Sequence, residues 1–314
     1  MFMGVVIDSH THLWAGDSSG PEGKAINSRF SSVGGDVDHQ LDFFFQMMKR
    51  SGVDKALVYC NKNDAAADMI RPYRDKLIPF ASVDMKDPAK ATTDLEYAVN
   101  SLGFKGINEQ AVPNRHFYID DFELLDPIYK KASDLGIAIS WHLQDSFLGG
   151  ASRSKFSGVS RMQEVCVKYP DLKILICHLG GLVNYRATLS GLSGYVNVYM
   201  DLSGLTNTFI WRNMTPTWGY NFMSRYHDYI FPEHSKNGKP ADYEEVMRQS
   251  KAKAAKVVKE AANFIPDRIM FGTDAPFASR MELEKEVCEM AAGDDKKLLE
   301  HILGENAKTF LDLN

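Results

Sequence analysis

Short apolar runs alternate with helical segments along the chain, and this alternation constrains the fold more than any other feature of the sequence. The runs are Val5–Asp8, Lys55–Cys60, Leu77–Val83, Phe104–Asn108, Ile137–His142, Lys173–His178, Tyr195–Leu202 and Arg268–Gly272. Alternating strands and helices favour a parallel sheet. Eight such units in 314 residues predict an α/β fold, a distorted (β/α)8 TIM barrel that forms a single domain over residues 1–314. An open doubly wound sheet is the alternative, although no G-x-G-x-x-G motif follows the first run.

Local signals predict where several helices begin and end. Asp87 is placed to cap a helix that starts at Pro88, because a short acidic side chain and a following proline favour a helix start. Gly136 is placed to end a helix over residues 121–135, since glycine adopts the left-handed conformation of a helix end. A long helix is predicted over Tyr243–Phe264.

Two segments are longer than the usual connection between a strand and a helix. Residues 14–37 are rich in Gly, Ser and Asp, and residues 204–242 are rich in aromatic side chains. Both follow strands, so we expect them to be long loops at the carboxyl face of the barrel, where such loops carry function. The aromatic segment is interpreted either as a lid or pocket wall or as a contact between subunits.

Composition excludes several classes of protein. The formal charge of −5 argues against a basic surface that binds nucleic acid or membrane lipids. The four cysteines are spread along the chain without a C-x-x-C motif, so a disulfide scaffold is not expected. We expect reduced thiols in a cytoplasmic protein instead. The first residues lack the basic region of a signal peptide, and no apolar stretch approaches the length of a transmembrane helix.

The first run ends in an aspartate and two histidines at alternate positions, Asp8, His10 and His12. In an extended chain alternate side chains point the same way and lie about 6.6 Å apart. His10 and His12 therefore project from one face, and both can reach one ion at the usual distance of about 2.0–2.1 Å. Asp8 shares that face and is predicted to be a further ligand or to orient one imidazole. Two surface histidines at a strand end are the alternative.

Three later strands are also followed by residues that can bind a metal ion. His142 ends the fifth run, His178 ends the sixth and Asp274 follows the eighth. Singly, each histidine could be a core or rim residue, and Asp274 could cap the following helix. However, four of the nine histidines stand where predicted strands end, and these ends share one face of a barrel. The set therefore predicts a metal site.

This arrangement resembles the amidohydrolase superfamily, specifically its amidohydrolase-related branch of metal-dependent TIM-barrel hydrolases. The resemblance rests on the residues just named, in the family's order, and on three longer motifs: Phe104–Ile107, His178–Gly181 and Gly272–Pro276. It covers about residues 5–311. The branch also includes enzymes similar to aminocarboxymuconate-semialdehyde decarboxylase.

The resemblance implies four ligands to one divalent ion, Zn²⁺ or alternatively Mn²⁺: His10, His12, His142 and Asp274. By the same resemblance His178 contacts the attacking water or the substrate. Asp274 is also expected to be catalytic, taking a proton from that water and returning it to the leaving group. Many superfamily members bridge two ions through a carboxylated lysine in the fourth strand. Lys105 stands at the start of that run, away from the metal end, so we expect a single ion.

Two reactions are compatible with the resemblance. One is hydrolysis of an ester, lactone or amide of a small carboxylic acid. The other is non-oxidative decarboxylation of an aromatic or muconate-type acid. Some lactonases of the branch work without a metal ion. A non-enzymatic barrel is a third hypothesis, and the complete set of ligands argues against it.

Three further residues are candidate contacts to a small-molecule substrate. Arg186 follows the sixth run closely and would suit an anionic substrate, although a surface arginine is the alternative. Trp14 begins the first long segment. Glu109 follows the fourth run and faces either the pocket or solvent. The branch commonly forms homodimers, so we expect a homodimer here.

Overall fold

Each apolar run predicted to be a strand overlaps one in a computed structural model of the chain. The structure describes residues 4–16, 19, 21–32, 35–111, 117–143, 158–181, 185–213, 228–235, 238–276 and 279–313. The strands are β1 (Ile7–Leu13), β2 (Lys55–Cys60), β3 (Leu77–Phe80), β4 (Gly106–Ala111), β5 (Ala138–His142), β6 (Ile174–Ile176), β7 (Val198–Asp201) and β8 (Ile269–Met270). Every strand begins inside its predicted run, so the apolar pattern locates the strands correctly.

The strands are parallel and follow one another around a ring in chain order. Regular pairing gives two arcs, β1-β2-β3 and β4-β5-β6-β7-β8. The backbone N–H of Ala81 donates to the carbonyl of Gly106 at 2.7 Å and joins β3 to β4. The N–H of Ser9 donates to the carbonyl of Phe271 at 2.9 Å and joins β1 to the end of β8. The predicted (β/α)8 architecture is thereby confirmed.

Alternate residues of β2 enter two different apolar cores. Ala56 and Val58 belong to the large core between the strands and the helices. Leu57 and Tyr59 instead join residues of five other strands in a second core inside the ring. This division follows from the two-residue period of a strand, which turns successive side chains to opposite faces of the barrel wall. The last helix of the chain completes the inner core through Ala307, Phe310 and Leu311.

Helices connect the strands and cover the outside of the ring. They are α1 (Pro21–Ser32), α2 (Gln40–Ser51), α3 (Asn63–Ile70), α4 (Pro88–Asn100), α5 (Phe122–Asp134), α6 (Val159–Lys168), α7 (Tyr185–Leu192), α8 (Leu205–Asn213), α9 (Tyr243–Phe264), α10 (Met281–Ala292), α11 (Lys296–Glu300) and α12 (Asn306–Leu311). The predicted cap at Asp87 is confirmed, because its carboxylate accepts a hydrogen bond from the N–H of Lys90 at 3.0 Å. Gly136 follows α5 with a φ of 64°, as expected for a helix end. Across the described residues, no helix combines the length and the apolar character needed to cross a membrane.

The two long connections predicted after the first and seventh strands contain short helices where the structure describes them. Residues 14–37 contain helix α1, whose first residue is Pro21, a favoured residue at that position. Residues 204–242 contain helix α8 and a short 3₁₀ helix over Pro232–His234. The side chains of Thr206 and Ile210 are buried one turn apart, so packing stabilises α8. Residues 214–227, which include much of the aromatic segment, lie outside the described residues.

Candidate metal centre

A group of imidazole and carboxylate side chains gathers at the carboxyl ends of the strands, the face on which barrel enzymes carry their active sites. We call this group the strand-end cluster. It consists of His10 and His12 from β1, Glu109 from β4, His142 from β5, His178 after β6, Asp201 from β7 and Asp274 after β8. The structure thus brings together the four predicted ligands His10, His12, His142 and Asp274 with His178, and it adds Asp201, whereas Asp8 has other partners.

His10, His12 and Asp274 approach one another closely. Nε2 of His10 lies 3.3 Å from Nε2 of His12. Oδ1 of Asp274 lies 3.0 Å from Nε2 of His12 and 3.8 Å from Nε2 of His10. Two ligands bound to one ion at about 2.0–2.1 Å are at most about 4.2 Å apart, so these three atoms suit a common ion. Burial raises the pKa of Asp274, but the hydrogen bond and charge of His12 outweigh it and lower the pKa below its ordinary value.

β1 carries an extra residue where it reaches the cluster. Three steps along β1, from Asp8 to Thr11, match two steps along β2, which breaks the strict alternation of side chains. The Asp8 carboxylate accepts hydrogen bonds from the N–H of His10 at 3.1 Å and from the N–H and hydroxyl of Thr273 at 3.1 and 2.6 Å. Asp8, predicted as a ligand or as the partner of an imidazole, instead joins β1 to the segment after β8.

Asp201 is a member of the cluster that the sequence analysis missed. Its Oδ2 lies 2.9 Å from Nδ1 of His10, and its Oδ1 accepts hydrogen bonds from the N–H groups of His178 and Ser203, each at 3.0 Å. Burial raises the pKa of Asp201, but the charge of His10 and the side-chain hydrogen bonds from His10 and Ser203 lower it to about 2. An ionised Asp201 holds the proton of His10 on Nδ1, so Nε2 of His10 is free to bind a metal ion.

The His178–Gly181 motif places one imidazole beside the cluster. His178 has a φ of 56° and Gly180 a φ of 71°, and a Cβ atom on Gly180 would lie 2.5 Å from Oγ1 of Thr188. Nδ1 of His178 is 2.8 Å from Oγ of Ser203, so Nε2 faces the cluster. Burial lowers the pKa of His178, but the hydrogen bond and charge of Glu109 raise it to about 10 in the metal-free protein.

Glu109 lies inside the cluster. From the sequence, the alternative was a carboxylate that faces solvent in the loop after the fourth strand. β4 has an extra residue between Ile107 and Gln110, and such a bulge re-aims the side chain that it carries. Only 14% of the Glu109 side chain is exposed, and its Oε1 is 3.3 Å from Nε2 of His178. Burial raises the pKa of Glu109, but His178 and His142 together lower it well below its ordinary value. Glu109 is therefore a candidate metal ligand as well as a substrate contact.

His142 ends β5 and stands next to His178, with their ring centroids 4.9 Å apart. Its Nδ1 is buried and has no hydrogen-bond partner in the described parts of the chain. Burial lowers the pKa of His142, which favours the neutral imidazole that binds metals. His142 could bind an ion together with Glu109 and His178, since candidate ligand atoms of the three lie within 4.8 Å of one another.

The other two predicted substrate contacts, Arg186 and Trp14, have partners outside the strand-end cluster. The exposed guanidinium of Arg186 forms two hydrogen bonds to Glu260 on α9, at 2.7 and 3.0 Å, so the structure does not bring it to the cluster. Trp14 is only 8% exposed and packs with Val37 and Phe43, which limits its contact with a ligand. A role in substrate binding therefore gains no support for either residue.

Known families and solved structures resemble the chain over nearly its whole length. A sequence model of a family described as amidohydrolase matches residues 7–313. Similar solved structures include 2,6-dihydroxybenzoate decarboxylase from Rhizobium, with 15% identity, a TM-score of 0.64 and 99% of each chain covered. Another is 5-carboxyvanillate decarboxylase from Sphingomonas paucimobilis, with 13% identity, a TM-score of 0.62 and 99% of each chain covered.

A third similar structure is dihydroxybenzoic acid decarboxylase from Polaromonas sp. JS666, with bound manganese and the inhibitor 2-nitroresorcinol. It has 17% identity and a TM-score of 0.65, and the match covers 99% of this chain and 98% of that chain. At these identities the three structures show a shared fold. The family match shows more, and it confirms the resemblance found in the sequence: the chain belongs to the amidohydrolase family.

Proposed function

We propose that the chain is a metal-dependent hydrolase that acts on an ester, lactone or amide of a small carboxylic acid. The observation that carries this proposal is the 3.0 Å contact between Oδ1 of Asp274 and Nε2 of His12 at the open side of the cluster. These side chains are 23% and 29% exposed, whereas the side chain of His10 is fully buried. A carboxylate in this position can take a proton from a water molecule that enters from solvent.

The donor atoms fit a divalent ion, because imidazole nitrogens and carboxylate oxygens are common ligands of Zn²⁺ and Mn²⁺. His10, His12 and Asp274 would hold the ion, with His142 as the fourth predicted ligand. When bound, such an ion makes water more acidic and polarises a carbonyl group. Zn²⁺ is supported by the number of imidazoles, and Mn²⁺ by the manganese in the similar enzyme from Polaromonas.

Asp274 would act as the general base and then as the general acid. Its ionised form is favoured by His12, and its backbone is fixed because its N–H donates to the carbonyl of His10 at 2.8 Å. It would take the proton of the water that adds to the carbonyl carbon. It would then return that proton to the departing oxygen or nitrogen.

His178 would stabilise the charge that develops on the substrate oxygen. Ser203 holds its Nδ1, so the ring cannot turn away, and Nε2 points towards the cluster. A fixed donor aimed at the developing charge contributes without reorganisation during the reaction.

Decarboxylation of an aromatic or muconate-type acid is the second candidate. It is supported by the similar structures, which are decarboxylases of 2,6-dihydroxybenzoate and 5-carboxyvanillate. In that reaction the cluster would orient the carboxylic acid, and a protonated group would deliver a proton to the substrate carbon. We further propose a homodimer in the cytoplasm, and the four buried free cysteines support a reducing compartment.

The two candidate reactions differ in whether an oxygen atom from water enters the product. Protein loaded with Zn²⁺ or Mn²⁺ is incubated in ¹⁸O-labelled water with lactones, esters and amides, and separately with hydroxybenzoic and muconic acids. Hydrolysis predicts one labelled oxygen in the new carboxylate and no carbon dioxide. Release of carbon dioxide, with no label in the remaining product, would replace the hydrolase by the second candidate. The Asp274→Asn variant controls for contaminating activity in both assays.

A further inference from the structure

Glu284 is a buried acidic residue on α10, outside the strand-end cluster, and it is only 2% exposed. The other buried residues of α10 are Met281, Leu283, Val287, Cys288, Ala291 and Ala292. Burying a carboxyl group among such side chains costs free energy unless hydrogen-bond donors compensate. The partners of Glu284 therefore decide what it contributes to the structure.

Three donors from two other segments converge on the carboxylate of Glu284. The hydroxyl of Thr206 donates to Oε2 at 2.6 Å, and the hydroxyl of Ser279 donates to Oε1 at 3.0 Å. The backbone N–H of Thr206, in the first turn of α8, approaches both oxygens, at 3.3 and 3.4 Å. Negative charge is favoured at this end of a helix. Glu284 thus joins α10 to the start of α8 and to the segment after β8.

The residues that lead into α8 enclose one nitrogen of the His178 ring. The hydroxyl of Ser203 donates to Oδ1 of Asp201. Its oxygen is therefore left to accept the proton on Nδ1 of His178, at 2.8 Å. The carbonyl oxygen of Ser203 is 3.1 Å from the same nitrogen, and a Cβ atom on Gly204 would lie 3.6 Å from it. Thr206 follows this turn by two residues, so a shift of the first turn of α8 would move the groups that hold the ring.

The segment after β8 connects the same carboxylate to Asp274. Ser279 follows Asp274 by five residues and is fully buried. Burial raises the pKa of Glu284 to about 7, and the charge of Asp274 adds to this rise, so the two carboxyl groups influence each other. Glu284 is thereby linked to both residues to which the proposed function gives a part in the reaction, Asp274 and His178.

We propose that Glu284 is a positioning residue: by holding Thr206 and Ser279 together, it keeps the ring of His178 in place relative to Asp274. The importance of this placement for turnover rests on the proposed function, whereas the placement itself does not. Glutamine should substitute for Glu284, because its amide oxygen accepts one hydrogen bond and its NH₂ group donates to the other hydroxyl oxygen. Alanine can do neither.

The proton on Nδ1 of His178 reports the position of the ring without turnover. Metal-free protein with ¹⁵N-labelled histidine is studied by NMR, and the resonance is assigned by its absence from His178→Gln. We expect a proton protected from exchange in the wild type and in Glu284→Gln, and we expect Glu284→Ala to lose it. Val287→Ala, at a buried apolar residue of the same helix, is the matched control for lost stability and should keep it.

Three results of this experiment would overturn the proposal: a wild type without the protected proton, a wild-type resonance in Glu284→Ala, or an equal loss in Val287→Ala. Where Glu284→Ala fails to fold, Thr206→Val replaces it, because valine removes one donor to Glu284 at nearly constant shape. This variant should broaden the resonance of His178, and an unchanged resonance would overturn the proposal in the same way.

Kinetics test the consequence for the reaction, with the substrate that the labelled-water assay identifies. Glu284→Ala should lower kcat by up to about 100-fold, the cost of a small misplacement, with little change in KM. Ser203→Ala removes the same support of His178, so the double variant should be no slower than Ser203→Ala alone. Effects that multiply would overturn the positioning role. A wild type without turnover on any of the compounds would reject the proposed function, and the NMR result would still decide the role of Glu284.

Discussion

Oδ2 of Asp201 lies 2.9 Å from Nδ1 of His10, and both side chains are completely buried. The other ring nitrogen of His10, Nε2, lies 3.3 Å from Nε2 of His12. Asp201 therefore determines that Nε2 is the nitrogen available to a metal ion. The same carboxylate accepts the N–H of His178, which couples the positions of two imidazoles from different strands. Asp201 is therefore a positioning residue for the metal centre.

Replacing Asp201 by asparagine should weaken metal binding without removing any ligand. The amide can no longer stabilise the proton of His10 on Nδ1 with a full negative charge, and loss of such partners typically lowers metal affinity 10- to 100-fold. Competition with a chromophoric chelator measures the affinity for Zn²⁺. Asp126→Asn on the partly exposed face of α5 is the control. An Asp201→Asn variant with wild-type affinity would show that Asp201 does not position His10.

Asp274→Asn should preserve the fold and reduce turnover about 10²- to 10⁴-fold, the usual effect of losing a general base. Asparagine is the appropriate change because Asp274 has a φ of 62°, a conformation that asparagine tolerates better than most residues. Steady-state kinetics measure the effect, and thermal unfolding checks the fold. Near-normal turnover would reject proton transfer by Asp274.

Thr273→Val should destabilise the barrel at the junction of β1 and β8. The hydroxyl of Thr273 donates to Oδ2 of Asp8 at 2.6 Å, and both residues are fully buried. Valine has nearly the same shape but leaves the carboxyl group short of one donor, which costs about 1–3 kcal/mol of unfolding free energy. Urea unfolding measures this cost against Thr93→Val, an exposed threonine on α4. Equal losses in both variants would contradict a structural role for Asp8.

Most of the site was predictable because its residues share one local signature: a polar side chain at the end of a buried apolar run. His142 and Asp274 were found in this way, and parallel strands then bring such ends together. Asp201 has the same signature at the end of β7. It was missed because the predicted run continued past it to Leu202 and so concealed where the strand ends.

The remaining features depend on pairing between distant segments. Glu109 and Asp8 are oriented by extra residues in β4 and β1, and such bulges become visible only when the register with the neighbouring strand is known. Arg186 looked available for an anionic substrate, but its partner Glu260 is 74 residues away on another helix. Helix α8 is stabilised by buried contacts rather than by its local sequence.

Glu284 should make stability depend on pH. It is buried on α10, where it accepts hydrogen bonds from the hydroxyls of Thr206 at 2.6 Å and Ser279 at 3.0 Å. Burial raises its pKa from 4.5 to about 7, although these hydrogen bonds lower it in part. The folded state therefore holds this proton more tightly than the unfolded state does. The resulting stabilisation is complete below pH 4.5 and is lost as the pH rises to about 7.

Comparison with Glu284→Gln isolates this contribution, because glutamine does not titrate. Between pH 4.5 and 7 the unfolding free energy of the wild type should fall by up to about 3 kcal/mol more than that of the variant. Urea unfolding of the metal-free proteins at both pH values measures the difference, with the exposed Glu289→Gln as control. Identical pH dependence in the wild type and Glu284→Gln would refute the assignment.

The most direct test of the account is the divalent ion content of the purified protein, measured together with turnover before and after chelation. We expect at least one Zn²⁺ or Mn²⁺ per chain, loss of turnover when a chelator removes it, and recovery when the ion is restored. His12→Asn should bind the ion much more weakly. A wild-type chain that holds no divalent ion and keeps full turnover in the presence of chelator would contradict the account.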